Sequence, residues 1–185
     1  MPPQQGPPPP RRGLFEAVLV GFFASHIPIT LMVDGQALLP AALYTWGPRS
    51  ALDWYLSWSL DPLMGSPPPW FRAIIACELL FQVPFFFVAL QELLAPPRRA
   101  RGEPPSGALR NACIAYGAHV ATTLVPILAT FLAHAAPGYS DTHRYALVGI
   151  YLPYLLVPLA LLWRACAHRP VFGADENEDA RKRAA

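Results

Sequence analysis

FRAIIACELLFQVPFFFVAL, residues 71–90, decides the fold of this chain. Arg72, Glu78 and Gln82 are its only charged or amide residues. The apolar run from Trp70 to Leu94 is long enough, at about 1.5 Å per residue, to cross about 30 Å of hydrocarbon as a helix. An ionised group at that depth costs about 3 kcal/mol or more, so intramembrane acids face a bundle interior, a cavity or a partner. Glu78, with Gln82 one turn below it, is therefore a site candidate before any motif is considered.

Three further runs of the same kind flank it: Leu14 to Asp34, Ala112 to His134 and Tyr145 to Cys166. The 185 residues are 54% hydrophobic and 14% charged, with mean hydropathy +0.29, too apolar for a soluble domain of this size. The expectation is an all-α membrane protein, a four-helix transmembrane bundle over residues 14–166. Residues 1–13 form a Pro-rich disordered tail, and residues 167–185 a charged tail. The net charge of +2 is spread over short clusters beside the spans, which excludes a nucleic-acid face. Cys77, Cys113 and Cys166 lack CxxC spacing and histidine company, so they read as packing residues without a metal or disulfide. No cofactor is expected, and no HExxH, GxSxG, P-loop or GxGxxG pattern supports hydrolase or nucleotide chemistry.

Between the first two spans, residues 35–69 carry Leu43, Tyr44, Trp46, Trp54, Tyr55, Leu56 and Trp58. Aromatic residues of this kind favour the headgroup level, and the segment is expected to form short amphipathic pieces capping one end of the bundle. Eleven basic residues, from Arg11 and Arg12 to Lys182 and Arg183, fall on the side of the termini, against Arg49, Arg72 and Arg144 on the other. The positive-inside rule then puts both termini in the cytoplasm and the aromatic segment on the lumenal side. Pro28, Pro84, Pro126, Pro153 and Pro158 each fall inside a span, where proline bends a helix and bent helices can enclose a void.

Depths counted from the lumenal ends put Glu78 at about 12 Å, Tyr154 at about 14 Å, Thr123 at about 16 Å and Gln82 at about 18 Å. They share a layer, expected to line a cavity together with Tyr151, Phe81 and Phe85. Asp34 counts as shallower than Glu78. Either span one sits deeper, or the aromatic segment folds over Asp34. Two acids that meet share a proton and carry about one negative charge, which suits a cationic amine beneath an apolar body or a hydroxyl. Glu16 is expected to be solvated at the mouth of its span. Thr122 and Thr123 are placed to bond backbone near Pro126, His26 to pack beside the Pro28 kink, and His119 either to pack or to relay protons.

SHIPITLMVDGQALLP (25–40), WYLSWSLDPLM (54–64), PPWFRAIIACELLFQVPFF (68–86), HVATTLVPILATF (119–131) and YLPYLLVPLALL (151–162) closely resemble the sigma-2 receptor family. That family sits in the EXPERA group with emopamil-binding protein, a sterol isomerase. The resemblance implies a multi-pass endoplasmic-reticulum protein, a homodimer that binds sterols or oxysterols and cationic amphiphilic drugs. It also implies a part in cholesterol homeostasis beside a membrane cholesterol-transport protein. On matching positions, Asp34 resembles the acid that pairs with a ligand amine, Glu78 its hydrogen-bonded neighbour and Asp61 a structural acid. Gln82, Thr123, Ile150, Tyr151 and Tyr154 resemble pocket positions. The Pro-rich start, the 95–107 connection and the terminal KRAA, which only approximates a dilysine signal, depart from the pattern. A non-enzymatic receptor is the leading expectation. The alternative is a delta-8/delta-7 sterol isomerase using the same acids, and a proton-coupled transporter lacks the inverted repeat it would need.

Overall fold

The computed structural model describes residues 13–94 and 107–167, and all regular structure among them is helical. The expected Pro-rich tail, the Pro- and Arg-rich connection and the charged C-terminal tail lie outside the described residues, as do most of the basic side chains used for orientation. Four helical stretches are long and apolar enough to cross a membrane: Leu14–Ala37, Pro69–Leu94, Gly107–Ala133 and Asp141–Cys166. The third and fourth start a few residues before the apolar cores read from sequence, because hydrogen-bonded helix continues into their more polar N-terminal turns.

Helix α1 (Leu14–Met32) buries Glu16, Leu19, Phe23, His26 and Thr30, a stripe recurring every three or four residues. Glu16 is thus 5% exposed and not solvated as expected, because it shares the inward face with Leu19 and Phe23. Two short 3₁₀ turns (Asp34–Ala37 and Ala41–Leu43) lead into α2 (Trp46–Ser59) and α3 (Pro62–Gly65). The Gln36 amide joins these pieces, donating to Met32 O at 2.6 Å and to Pro48 O at 2.9 Å.

The second span is α4 (Pro69–Cys77), a π turn (Glu78–Gln82) and α5 (Val83–Leu94). Pro69 opens α4, where its missing N–H is no loss. Pro84 cannot donate to the carbonyl four residues back and its ring crowds that carbonyl; the chain responds just upstream, where Val83 N–H reaches Glu78 O five residues away. The wide turn carries an extra residue, and Leu80 and Phe81 end on the outer surface, each 68% exposed. Exposed apolar side chains such as these are what hydrocarbon tails require of a span.

Helices α6 (Gly107–Ala133) and α7 (Asp141–Cys166) form the most extensive helix pair, and α1 packs on α5. Gly117 permits the α6–α7 approach: a Cβ there would lie 2.8 Å from both Leu162 Cβ and Pro158 O. Aromatic rings join the two pairs. Tyr116 of α6 stacks on Phe85 at 4.5 Å and meets Phe23 edge-on at 5.9 Å, and Tyr154 of α7 contacts Phe22 at 5.7 Å. The α6–α7 turn is fixed by Tyr139, whose hydroxyl donates to Phe131 O at 3.2 Å, and by Arg144, which pairs with Asp141 and donates to His134 O.

Candidate functional site

A cavity of about 400 Å³ lies between the spans, beneath α2 and α3. Asp34, Glu78, Gln82, Thr123, Ile150, Tyr151 and Tyr154, the seven positions singled out in the sequence, all lie on its wall. Beside them are His26, Trp54, Tyr55, Met64 and Phe71, with an otherwise aliphatic lining that includes Ile29, Ile75, Leu124 and Ile127. Such a wall, apolar with a few convergent polar groups, is the usual build of a small-molecule site.

Glu78 sits on the π turn and is 8% exposed. Its partners come from α1: Thr30 Oγ1 donates to Glu78 Oε1 at 2.6 Å, and His26 Nε2 lies 3.2 Å from the same oxygen. The α1 spacing places both there, since 26, 30 and 34 fall one turn apart on a single face. His26 is held by rings, stacked on Phe86 at 4.7 Å and edge-on to Tyr154 at 4.7 Å, and its Nδ1 is buried without a hydrogen-bond partner.

Asp34 opens the first 3₁₀ turn and is half-buried. The depth mismatch is resolved by the aromatic segment. Ala51, Trp54 and Tyr55 of α2 fold back over the cavity, so Asp34 lies under cover although it stands at the end of span one. Among the described residues no backbone N–H and no hydroxyl, amide or ring donor is seen to hydrogen-bond to the Asp34 carboxylate, and Glu78 and Asp61 are the charges that act on it. The two acids share the cavity wall.

Asp61 has a separate task. It is 1% exposed and caps α3, its Oδ1 accepting from Leu63 N at 2.8 Å and Met64 N at 3.1 Å. Its Oδ2 accepts from Tyr55 on α2 at 2.7 Å and from Tyr151 on α7 at 3.2 Å. This one carboxylate ties the cover of the cavity to the bundle. Burial, and then the Asp61 charge, raises the Tyr55 phenol above its ordinary pKa and keeps it a donor. Leu60, just before Asp61, adopts a left-handed φ of 50°, which a branched residue tolerates only where its surroundings over-determine it.

Several expectations need correction. Phe81 points outward, and Phe85 packs on Tyr116 and Phe23, so neither lines the cavity; the π turn shifts the register that a regular helix would have given. Thr123 lines the cavity while its hydroxyl donates to Val120 O, whereas Thr122 is exposed and donates to Ala118 O. His119 is not on the cavity wall, and its Nε2 is buried without a hydrogen-bond partner. His26 packs between rings as expected, and it also lines the cavity. Its i, i+4, i+8 spacing with Thr30 and Asp34 was the signal for a cavity position.

A helical, four-span membrane protein with an acid-bearing cavity between its spans is the class these features define. The family described as EXPERA (EXPanded EBP superfamily) matches residues 49–165, which takes in the cover, Glu78 and the last three spans. The chain is 41% identical over 163 residues to Sigma intracellular receptor 2 of Homo sapiens, covering 83% of this chain and 88% of that one. It is 39% identical over 155 residues to Sigma intracellular receptor 2 of Xenopus tropicalis, covering 80% and 86%. Efficient mitochondria targeting-associated protein 19 of Schizosaccharomyces pombe is 32% identical over 143 residues, covering 75% of this chain and 67% of that one. The chain belongs to the EXPERA family and is a multi-pass membrane protein.

Proposed function

We propose that this chain is an intracellular membrane receptor or regulator that binds sterols and cationic amphiphiles in the cavity, with Asp34 as counter-ion to a ligand amine. One observation carries the reading: Asp34 presents to a mainly apolar, covered cavity a carboxylate that accepts no N–H or hydroxyl hydrogen bond among the described residues. An unpaired acid in such surroundings is costly, and a bound ammonium relieves that cost. The receptor name borne by the relatives in human and frog agrees with it. Gln82, Thr123, Ile150, Tyr151 and Tyr154 line the same ligand's path, and Glu78 is the second acid. The same reading places the protein in the endoplasmic reticulum with both termini cytoplasmic, as a homodimer serving sterol homeostasis beside a membrane cholesterol-transport protein.

The test is saturable binding of a cationic amphiphile to purified protein. Asp34→Asn should lower affinity by about 2 kcal/mol or more, roughly 30-fold, while the protein still elutes as a folded species. Unchanged affinity in folded Asp34→Asn refutes the counter-ion. The His26–Glu78 contact favours one second reading, proton transfer on a bound sterol. Conversion of a delta-8 sterol that is lost in Glu78→Gln would establish it instead.

A further inference from the structure

The turn that joins α6 to α7 is closed by a side chain of unusual chemistry for its place. Ser140 caps α7, and the residue three positions on, glutamate or glutamine in the ordinary capping box, is His143. Its Nδ1 accepts from the Ser140 backbone N–H at 3.1 Å and lies 2.8 Å from Ser140 Oγ. A carboxylate or amide oxygen in that position accepts throughout the neutral range. An imidazole nitrogen accepts only while it carries no proton. The Ser140 hydroxyl can turn a lone pair toward a protonated Nδ1, but the backbone N–H cannot, so protonation sets two donors against each other and leaves the amide unpaired.

The surroundings also oppose a positive ring. His143 stands in the first turn of α7, where unpaired N–H groups already form a positive end. The next residue is Arg144, whose guanidinium pairs with Asp141, donates to His134 O at 3.1 Å and lies over the Tyr139 ring at 5.8 Å. Asp141 is thereby engaged. His134, just past the end of α6, is the other titratable ring of the turn and meets Tyr139 edge-on at 4.8 Å. Helix α2 also packs on α7; its charged residues, Arg49 and Asp53, are exposed, and among the described residues neither bonds to His143. Asp61 is the buried acid on that side, and its charge acts on the Tyr139 phenol after burial and the opposing Arg144 charge.

Tyr139 joins this corner to the cover of the cavity. His143 stacks on its ring at 5.8 Å, and its hydroxyl donates to Phe131 O at 3.2 Å. The Phe131 ring meets Tyr151 edge-on at 4.8 Å, and Tyr151 donates to Asp61, the carboxylate that holds α2 and α3. A loosened turn therefore withdraws support from the α7 side of the cover.

We propose that His143 is a pH-operated clasp: neutral, it closes the α6–α7 turn and steadies the rim beneath the cover, and protonated, it releases both. Acidification of the compartment that this end of the bundle faces then loosens the cavity's cover from the α7 side.

The test is hydrogen exchange of the purified full-length protein from about pH 8 to about pH 5, the span over which imidazoles titrate, read by mass spectrometry as protection relative to the unfolded chain at each pH. In the wild type, protection of residues 139–146 should fall by roughly tenfold on acidification, the scale of one backbone hydrogen bond lost, and that of α2 should fall over the same range by a smaller factor. His143→Gln, which supplies an acceptor that takes no proton, should hold both flat. His134→Gln, which removes the other titratable ring and leaves the cap intact, should keep the wild-type fall. If His143→Gln does not fold, His143→Glu restores the other ordinary box residue and should stay protected down to about pH 5. Protection in the wild type that is indifferent to pH, a fall that survives His143→Gln or His143→Glu, or one abolished by His134→Gln, overturns the inference. A fall confined to the turn, with α2 unmoved, overturns the link to the cover.

Discussion

Asp61 concentrates four hydrogen bonds in one buried carboxylate, and its replacement gives the most demanding test of how the cavity is covered. In Asp61→Ala the α3 cap is lost, at about 1 kcal/mol. The hydroxyls of Tyr55 and Tyr151 lose their acceptor as well, and a buried donor left unpaired costs about 1–3 kcal/mol. Tyr55 and Tyr151 are only partly buried, so the whole comes to about 4 kcal/mol, a large share of the stability of a single domain. Asp61→Asn is different. Asparagine still caps α3 through its amide oxygen, and both phenols can turn to accept from its NH₂, so only the charge-assisted excess is lost, about 1 kcal/mol. The assay is thermal unfolding of the detergent-purified protein followed by tryptophan fluorescence, which Trp54 and Trp58 of the cover report directly. A strong loss in Asp61→Ala with a small one in Asp61→Asn is expected. Equal losses, or less than about 1 kcal/mol in Asp61→Ala, would refute the reasoning that one carboxylate holds cap and cover together.

Two more outcomes follow from the packing and the phenol. Gly117→Ala places a Cβ 2.8 Å from Pro158 O, backbone that cannot move aside cheaply, and should destabilise the protein, whereas Gly149→Ala meets nothing within 4 Å. The first should cost about 2 kcal/mol and the second should be neutral or mildly stabilising, compared by melting the two variants side by side. The raised phenol of Tyr55 means that the folded state holds its proton more tightly than the unfolded chain does. That stability is fully present below the ordinary phenol value of about 10 and is lost as pH rises beyond it, so a melting profile flat from neutral to about pH 9.5 and falling above is expected. A profile that already falls near pH 8 would contradict the burial of Tyr55.

Much of this protein was legible in the chain itself. Four spans could be counted because a membrane helix must satisfy its backbone internally and expose apolar side chains, and composition alone records that requirement. Glu78 stood out for the same reason, and simple depth counting brought it to one layer with Gln82, Thr123 and Tyr154, which line one cavity. Asp34 was harder. Its depth depends on the path of residues 35–69, and no local pattern reveals that α2 folds back over the end of α1.

Regular-helix arithmetic failed where the helix is not regular. Pro84 marks a disturbance in the second span, yet the sequence does not say whether a helix answers with a kink or with a widened turn, and the choice decides whether Phe81 faces the cavity or the lipid. The sequence by itself determined the spans, their polar exceptions and the family, because these follow from hydropathy, spacing and family-like strings read along one dimension. Only the tertiary structure decided that Glu78 is gripped by His26 and Thr30, that Asp34 lines the same cavity, and that Asp61 ties the cover to the bundle. Each depends on which oxygen of a carboxylate meets which donor across helices far apart in the chain, and that is fixed by packing.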